Sequence, residues 1–94
     1  MTNDWIPFTQ YLRPDGRKQQ VSAPMPDGYA PKVQRILDQG WHFTCEVLSN
    51  GTVVQYVTAP LREGDVATEL STNGPEVEDA TKRLIDRAYA EIIP

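Results

Sequence analysis

The chain has 94 residues, with 9 lysines and arginines against 13 aspartates and glutamates, giving a net charge of -4. This length suits one domain with one core, and the acidic balance argues against the basic stripe from which nucleic-acid binding draws its affinity. A single cysteine cannot close an internal disulfide, and no apolar run near Met1 offers a signal peptide or a membrane span, so a cytoplasmic protein without membrane attachment is expected.

Residues Trp5 to Leu12 alternate Ile6, Phe8, Gln10 and Leu12 against Trp5, Pro7, Thr9 and Tyr11, the period of a strand whose proline keeps it near a sheet edge. Arg13-Pro14-Asp15-Gly16 makes a turn, because proline presets its second position and aspartate and glycine tolerate the tight ones that follow. Arg17 to Ala23 can return as a short second strand, and Pro24-Met25-Pro26-Asp27-Gly28 then blocks both ladder and helix. Pro31 suits the first position of a helix, Val33, Ile36 and Leu37 share one face, and Gly40 supplies the cap, so the helix runs from about Pro31 to Gln39.

From Trp41 to Thr58 two alternating segments are joined by Asn50-Gly51, the strongest short-range hairpin signal in the chain. A two-residue turn there sets Ser49 opposite Thr52, Val47 opposite Val54, Cys45 opposite Tyr56 and Phe43 opposite Thr58. That register puts Trp41, Phe43, Cys45, Val47, Val54 and Tyr56 on the core face. The opposite face then mixes His42, Thr44, Glu46 and Gln55 with Leu48, Val53 and Val57, more branched apolar residues than a solvated face should carry. Pro60-Leu61-Arg62-Glu63-Gly64 is a loop, and Asp65 to Thr72 alternates as a fifth strand.

Pro75 opens the last helix, with Glu76, Glu78 and Asp79 at its positive end and Val77, Ala80, Thr81, Leu84, Ala88 and Ile92 on its apolar face, flanked by Ile85. Glu78 with Lys82 and Asp79 with Arg83 stand four apart in the favourable order. The order strand, strand, helix, three strands, helix predicts an α+β fold of one antiparallel sheet with both helices packed on one face.

Candidate chemistry is sparse. His42, the only histidine, is three residues from Cys45, so on a strand the two point to opposite faces and cannot share a metal or a proton. Glu46, Glu69 and Asp65 could serve a small carboxylate-dependent hydrolase if they met in a pocket, but no metal-loop spacing accompanies them. No glycine-rich phosphate loop occurs, so no cofactor is expected. Arg13, Arg17 and Lys18 bracket the first turn as the one local cationic cluster, which could touch a nucleic-acid backbone or simply keep an edge hairpin soluble. Trp5, Tyr11 and Tyr29 could stack on bases or staple the first hairpin over the core.

From Pro31 onward the order of elements resembles that of the double-stranded-RNA-binding domain. That family places a lysine cluster at the start of its second helix, where this chain has Asn73-Gly74-Pro75-Glu76-Val77-Glu78-Asp79, and acidic residues there would repel RNA, so the activity is not carried over. Leu12-Arg13-Pro14-Asp15-Gly16-Arg17 and Asn73-Gly74-Pro75-Glu76-Val77 resemble segments of small uncharacterised proteins from bacteriophages and prophages. That resemblance implies an accessory protein acting by binding a host protein. With no catalytic constellation, the leading expectation is a non-enzymatic interaction module. Its interface would comprise Leu48, Val53, Val57, Gln55 and Glu46, and its partner would be a host protein or a second copy in a homodimer.

Overall fold

In the computed structural model the described residues are 5–12, 15–61, 63–72 and 74–92. They form β1 (Trp5–Leu12), β2 (Arg17–Pro24), α1 (Ala30–Asp38), β3 (His42–Val47), β4 (Thr52–Thr58), β5 (Asp65–Thr72) and α2 (Glu76–Ile92), the expected order of an α+β fold. Arg13 and Pro14 of the first turn, Arg62 and Asn73 lie outside the described residues.

The sheet has the order β2-β1-β3-β4-β5 and is mixed, not wholly antiparallel as expected, because β1 and β3 run parallel, with Phe8 beside Phe43. The cause is topological. β2 turns back along one side of β1, so the chain must pass through α1 before β3 can enter on the other side, and that crossover returns it in the direction of β1.

The central hairpin also departs from expectation. Val47 opposes Val53, Cys45 opposes Gln55 and Phe43 opposes Val57, one residue away from the register that a two-residue turn would set. The loop is Ser49-Asn50-Gly51, closed by the Gly51 amide donating to Leu48 O at 2.9 Å and the Leu48 amide donating to Thr52 O at 2.8 Å. Only Gly51 has positive φ, at 87°, whereas the two-residue turn needs it at both central positions. Asn50 contributes its side chain instead, its Oδ1 accepting from the Thr52 amide at 3.0 Å. A slip of one residue exchanges the faces of one strand relative to the other. Val53, Gln55 and Val57 therefore join Phe43 on the helix-covered face, and Val54 and Tyr56 turn outward.

The core lies between that face and the helices. Ile6 and Phe8 from β1, Phe43 and Val57 from the inner strands β3 and β4, Ala67 from β5, Val33 and Ile36 from α1, and Leu84, Ile85 and Ala88 from α2 form one buried cluster. The Phe8 and Phe43 rings meet at 5.4 Å between centroids, tilted by 57°. A register shift where Val57 and Thr58 meet β5 lets Val66 enter the cluster beside Ala67. Both helices bury the residues their periodicity selects, Val33 and Ile36 in α1 and Ala80, Thr81, Leu84, Ile85 and Ala88 in α2. They are latched by Lys32, whose Nζ donates to Asp86 at 2.8 Å and lies 5.4 Å from the Tyr29 ring and 5.5 Å from the Tyr89 ring. Tyr29 thus belongs to the helix pair. Its hydroxyl also donates to Asp86.

Toward one end the covered face becomes polar, and α2 answers two of its polar groups, Gln55 and Glu69, while the buried Ser71 hydroxyl opposite Val53 finds no partner among the described residues. Gln55 meets Thr81, while Glu69 meets Arg83 at 3.1 Å and Arg87 at 2.9 Å. Arg83 therefore reaches across to the sheet, whereas the Glu78–Lys82 pair expected along the helix forms at 3.8 Å. Burial acts to raise the Glu69 carboxyl, but the hydrogen bonds and charges of Arg87 and Arg83 outweigh it and hold the carboxyl below its ordinary value of 4.5. A depressed folded value means that this ion pair contributes stability above the unfolded value and loses it as the pH falls through the folded one. Glu69→Gln is expected to cost up to about 1 kcal/mol at neutral pH, since the arginines are half exposed and screened by water. Urea denaturation of both proteins across the acid range checks this, with the difference between them closing as the pH drops below 4.5.

Candidate protein-interaction surface

Both helices pack on one face of the sheet, and among the described residues no helix covers the other. Alternation along each strand sets what that open face presents: Trp5, Pro7, Thr9 and Tyr11 from β1, Lys18 and Gln20 from β2, His42, Thr44 and Glu46 from β3, Val54 and Tyr56 from β4, and Thr68 and Leu70 from β5. Trp5 is 57% and Leu70 61% exposed, whereas Thr44 and Glu46, on the central strand, are buried by the side chains that flank them.

At the centre of this face Tyr56 stands across from Thr44, next to the Glu46–Val54 pair, with Tyr11 opposite Glu46 on the other side. Burial pushes the Tyr56 hydroxyl up to about 12, and the nearby Tyr11, Asp65, Glu46 and Cys45 add to that rise. Tyr56 is therefore a neutral phenol in a locally negative setting. Asp65 accepts a hydrogen bond from the Thr68 hydroxyl at 3.2 Å on the same side. The neighbouring Tyr11 ring already carries a cation, Lys18 Nζ at 5.1 Å from its centroid.

The interface expected from the sequence is not assembled. Val57 is fully buried, Val53 and Gln55 are 7% and 3% exposed beneath the helices, and Leu48 closes the hairpin; of the set only Glu46 belongs to the open face. The branched residues that seemed surplus to a solvated face are core residues. Val54, Tyr56, Tyr11, Trp5 and Leu70 take their place. Alternation within β4 already groups Val54 with Tyr56, and its phase against β3 is set by the three-residue loop.

The other candidates do not converge. Glu46 lies on the open face and Glu69 on the covered one, held by two arginines, so the three carboxylates share no pocket. His42 is exposed on the open face, and Cys45 is half-buried on the other, where burial pushes its thiol up and disfavours the thiolate. No cluster of three metal-ligating side chains occurs among the described residues. Of the cationic tip, Arg17 is engaged by Asp15 at 3.3 Å and Lys18 by Tyr11, while Arg13 lies outside the described residues. A cleft of about 280 Å³ lies beside the start of α2, lined by Ala23, Pro24, Pro26, Val77, Glu78 and Thr81, and none of the candidate residues from the sequence lines it. No described helix is long and apolar enough to cross a membrane. No protein-family model, curated protein or solved structure matches the chain.

Proposed function

We propose that this chain is a non-enzymatic protein-binding module that docks a partner on the open face of its sheet. The observation that carries this reading is the uncovered group of Tyr11, Val54, Tyr56 and Leu70 beside the exposed carboxylate of Asp65. Such a surface favours one kind of occupant, a protein segment that presents an arginine or lysine to the Tyr56 ring and Asp65 and an apolar side chain to Val54 and Leu70. The net charge of -4 adds long-range attraction for a basic partner. The resemblance to phage and prophage proteins makes a host protein the natural source of that segment.

The test uses the isotope-labelled chain titrated with a short peptide of alternating arginine and leucine. Amide shifts centred on Tyr11, Val54 and Tyr56 are expected, weakening as salt is raised and lost in Tyr56→Ala. Shifts confined to the helices, or a Tyr56→Ala protein that binds as well as the original, would overturn the reading.

A further inference from the structure

The two edges of the sheet are finished differently. At β5 the chain occupies its own edge: Arg87 donates to the main-chain carbonyl of Thr68, and the Thr72 amide donates to the Glu76 carboxylate at 3.5 Å. Thr68 and Thr72 are four residues apart, so their main-chain groups point the same way, and the irregular pairing near Thr58 bends the strand as well. β2, eight residues long, has no such cover. Among the described residues the only side chain bonded to its main chain is that of Asp15, on the Arg17 amide. Its two cations sit at one end, one neutralised by Asp15 and one folded over Tyr11, and from Gln19 to Ala23 it carries no charge. Edge strands that must stay single carry central charges, prolines or bulges. This one has none at its centre.

We infer that β2 is a pairing edge whose occupant is the β2 of a second copy, joined antiparallel so that two five-stranded sheets become one. The geometry is restrictive. A two-fold axis normal to the sheet requires each residue to oppose one from the same face, so the axis passes through a residue. With the axis at Gln20, Arg17 opposes Ala23, Lys18 opposes Ser22 and Gln19 opposes Val21 of the other copy, and Gln20 opposes itself. Pro24, which has no amide to donate, falls outside the ladder, whereas an axis at Val21 would draw it in. In either register the cationic ends lie apart, so Arg17 and Lys18 face uncharged residues and no like charges are set opposite each other. The open face is left free, so this inference stands independently of the proposed docking function.

Sedimentation equilibrium of the full chain tests it. The expected result is a concentration-dependent mass rising toward twice 10.6 kDa. Gln20→Lys, which sets two lysines directly opposite each other at an exposed position, is expected to leave only monomer at the same concentrations while melting as cooperatively as the original. Gln20→Cys in a Cys45→Ser background should form a covalent dimer on mild oxidation. A chain that stays monomeric up to millimolar concentration, or a dimer that Gln20→Lys leaves intact, overturns the inference.

Discussion

Phe43→Ala is expected to destabilise the protein by about 3–5 kcal/mol, the largest effect of any single substitution considered. Phe43 lies on β3, the middle strand of the sheet, and is 1% exposed. Its ring packs on Phe8 from the parallel neighbour and its backbone pairs with Val57 from the antiparallel one. Truncation removes the transfer energy of the ring, the aromatic pair and the support under both neighbouring strands, and the rigid sheet cannot close over the space left. Domains of this size have total stabilities of about 5–15 kcal/mol, so the variant should unfold at a much lower urea concentration with an unchanged slope. Phe43→Leu should recover more than half of the loss. A cost below about 1 kcal/mol for the alanine variant would mean that the core is centred elsewhere.

Thr81→Val is expected to cost about 1–3 kcal/mol although it keeps the volume and shape of the side chain. The Thr81 hydroxyl donates to the Val77 carbonyl at 2.8 Å and accepts from Gln55 Nε2 at 2.9 Å. Gln55 is 3% exposed beneath α2, so removing the hydroxyl strands its amide away from water. Adding Gln55→Leu to Thr81→Val should return most of that stability, because an apolar pair leaves nothing unsatisfied, and a double-mutant cycle in urea separates the coupling from the two single costs. If Thr81→Val alone proves neutral, water reaches Gln55 and α2 does not seal this part of the sheet. The polar pair has a counterpart in Glu69 with Arg83 and Arg87, and together they explain why a face that begins with Ile6, Phe8 and Phe43 ends in glutamine and glutamate without losing its helix.

The open face proposed for docking rests on one property of the architecture. Two helices cover one side of a five-stranded sheet and leave the other side to its own side chains. The open face therefore gathers tyrosines, a tryptophan and threonines, residues that suit a half-exposed strand and equally suit a contact. Edge pairing through β2 would extend that face across two copies without covering it.

What could be read from residues alone followed from local rules. The span of β5, the helical face of α2 and the positions of Ile6 and Phe8 emerge from periods of 2 and 3.6, and Pro31 and Pro75 mark helix starts because each stands where an amide would have no partner. The separation of His42 from Cys45 is equally local, since three residues along a strand reverse the face.

The failures share a different cause. Asn50-Gly51 announces a hairpin, but the pair is compatible with a two-residue turn and with a three-residue loop in which Gly51 alone adopts positive φ. These differ by one residue of register, and that residue decides whether Val57 or Tyr56 faces the helices. Within each strand the alternation is a property of the sequence. The phase between strands is a property of the loop and of what the helices can bury, and burying Phe43 against Val57 and Ala67 favours the three-residue form. The parallel pairing of β1 with β3 and the reach of Arg83 to Glu69 also depend on partners distant in the chain. By itself the sequence determined the elements, their spans and their amphipathic faces, because those depend on neighbours a few residues away. Tertiary structure alone decided which faces meet, and hence which residues remain on the surface to bind a partner, because register and packing are set by contacts that exist only once the helices close over the sheet.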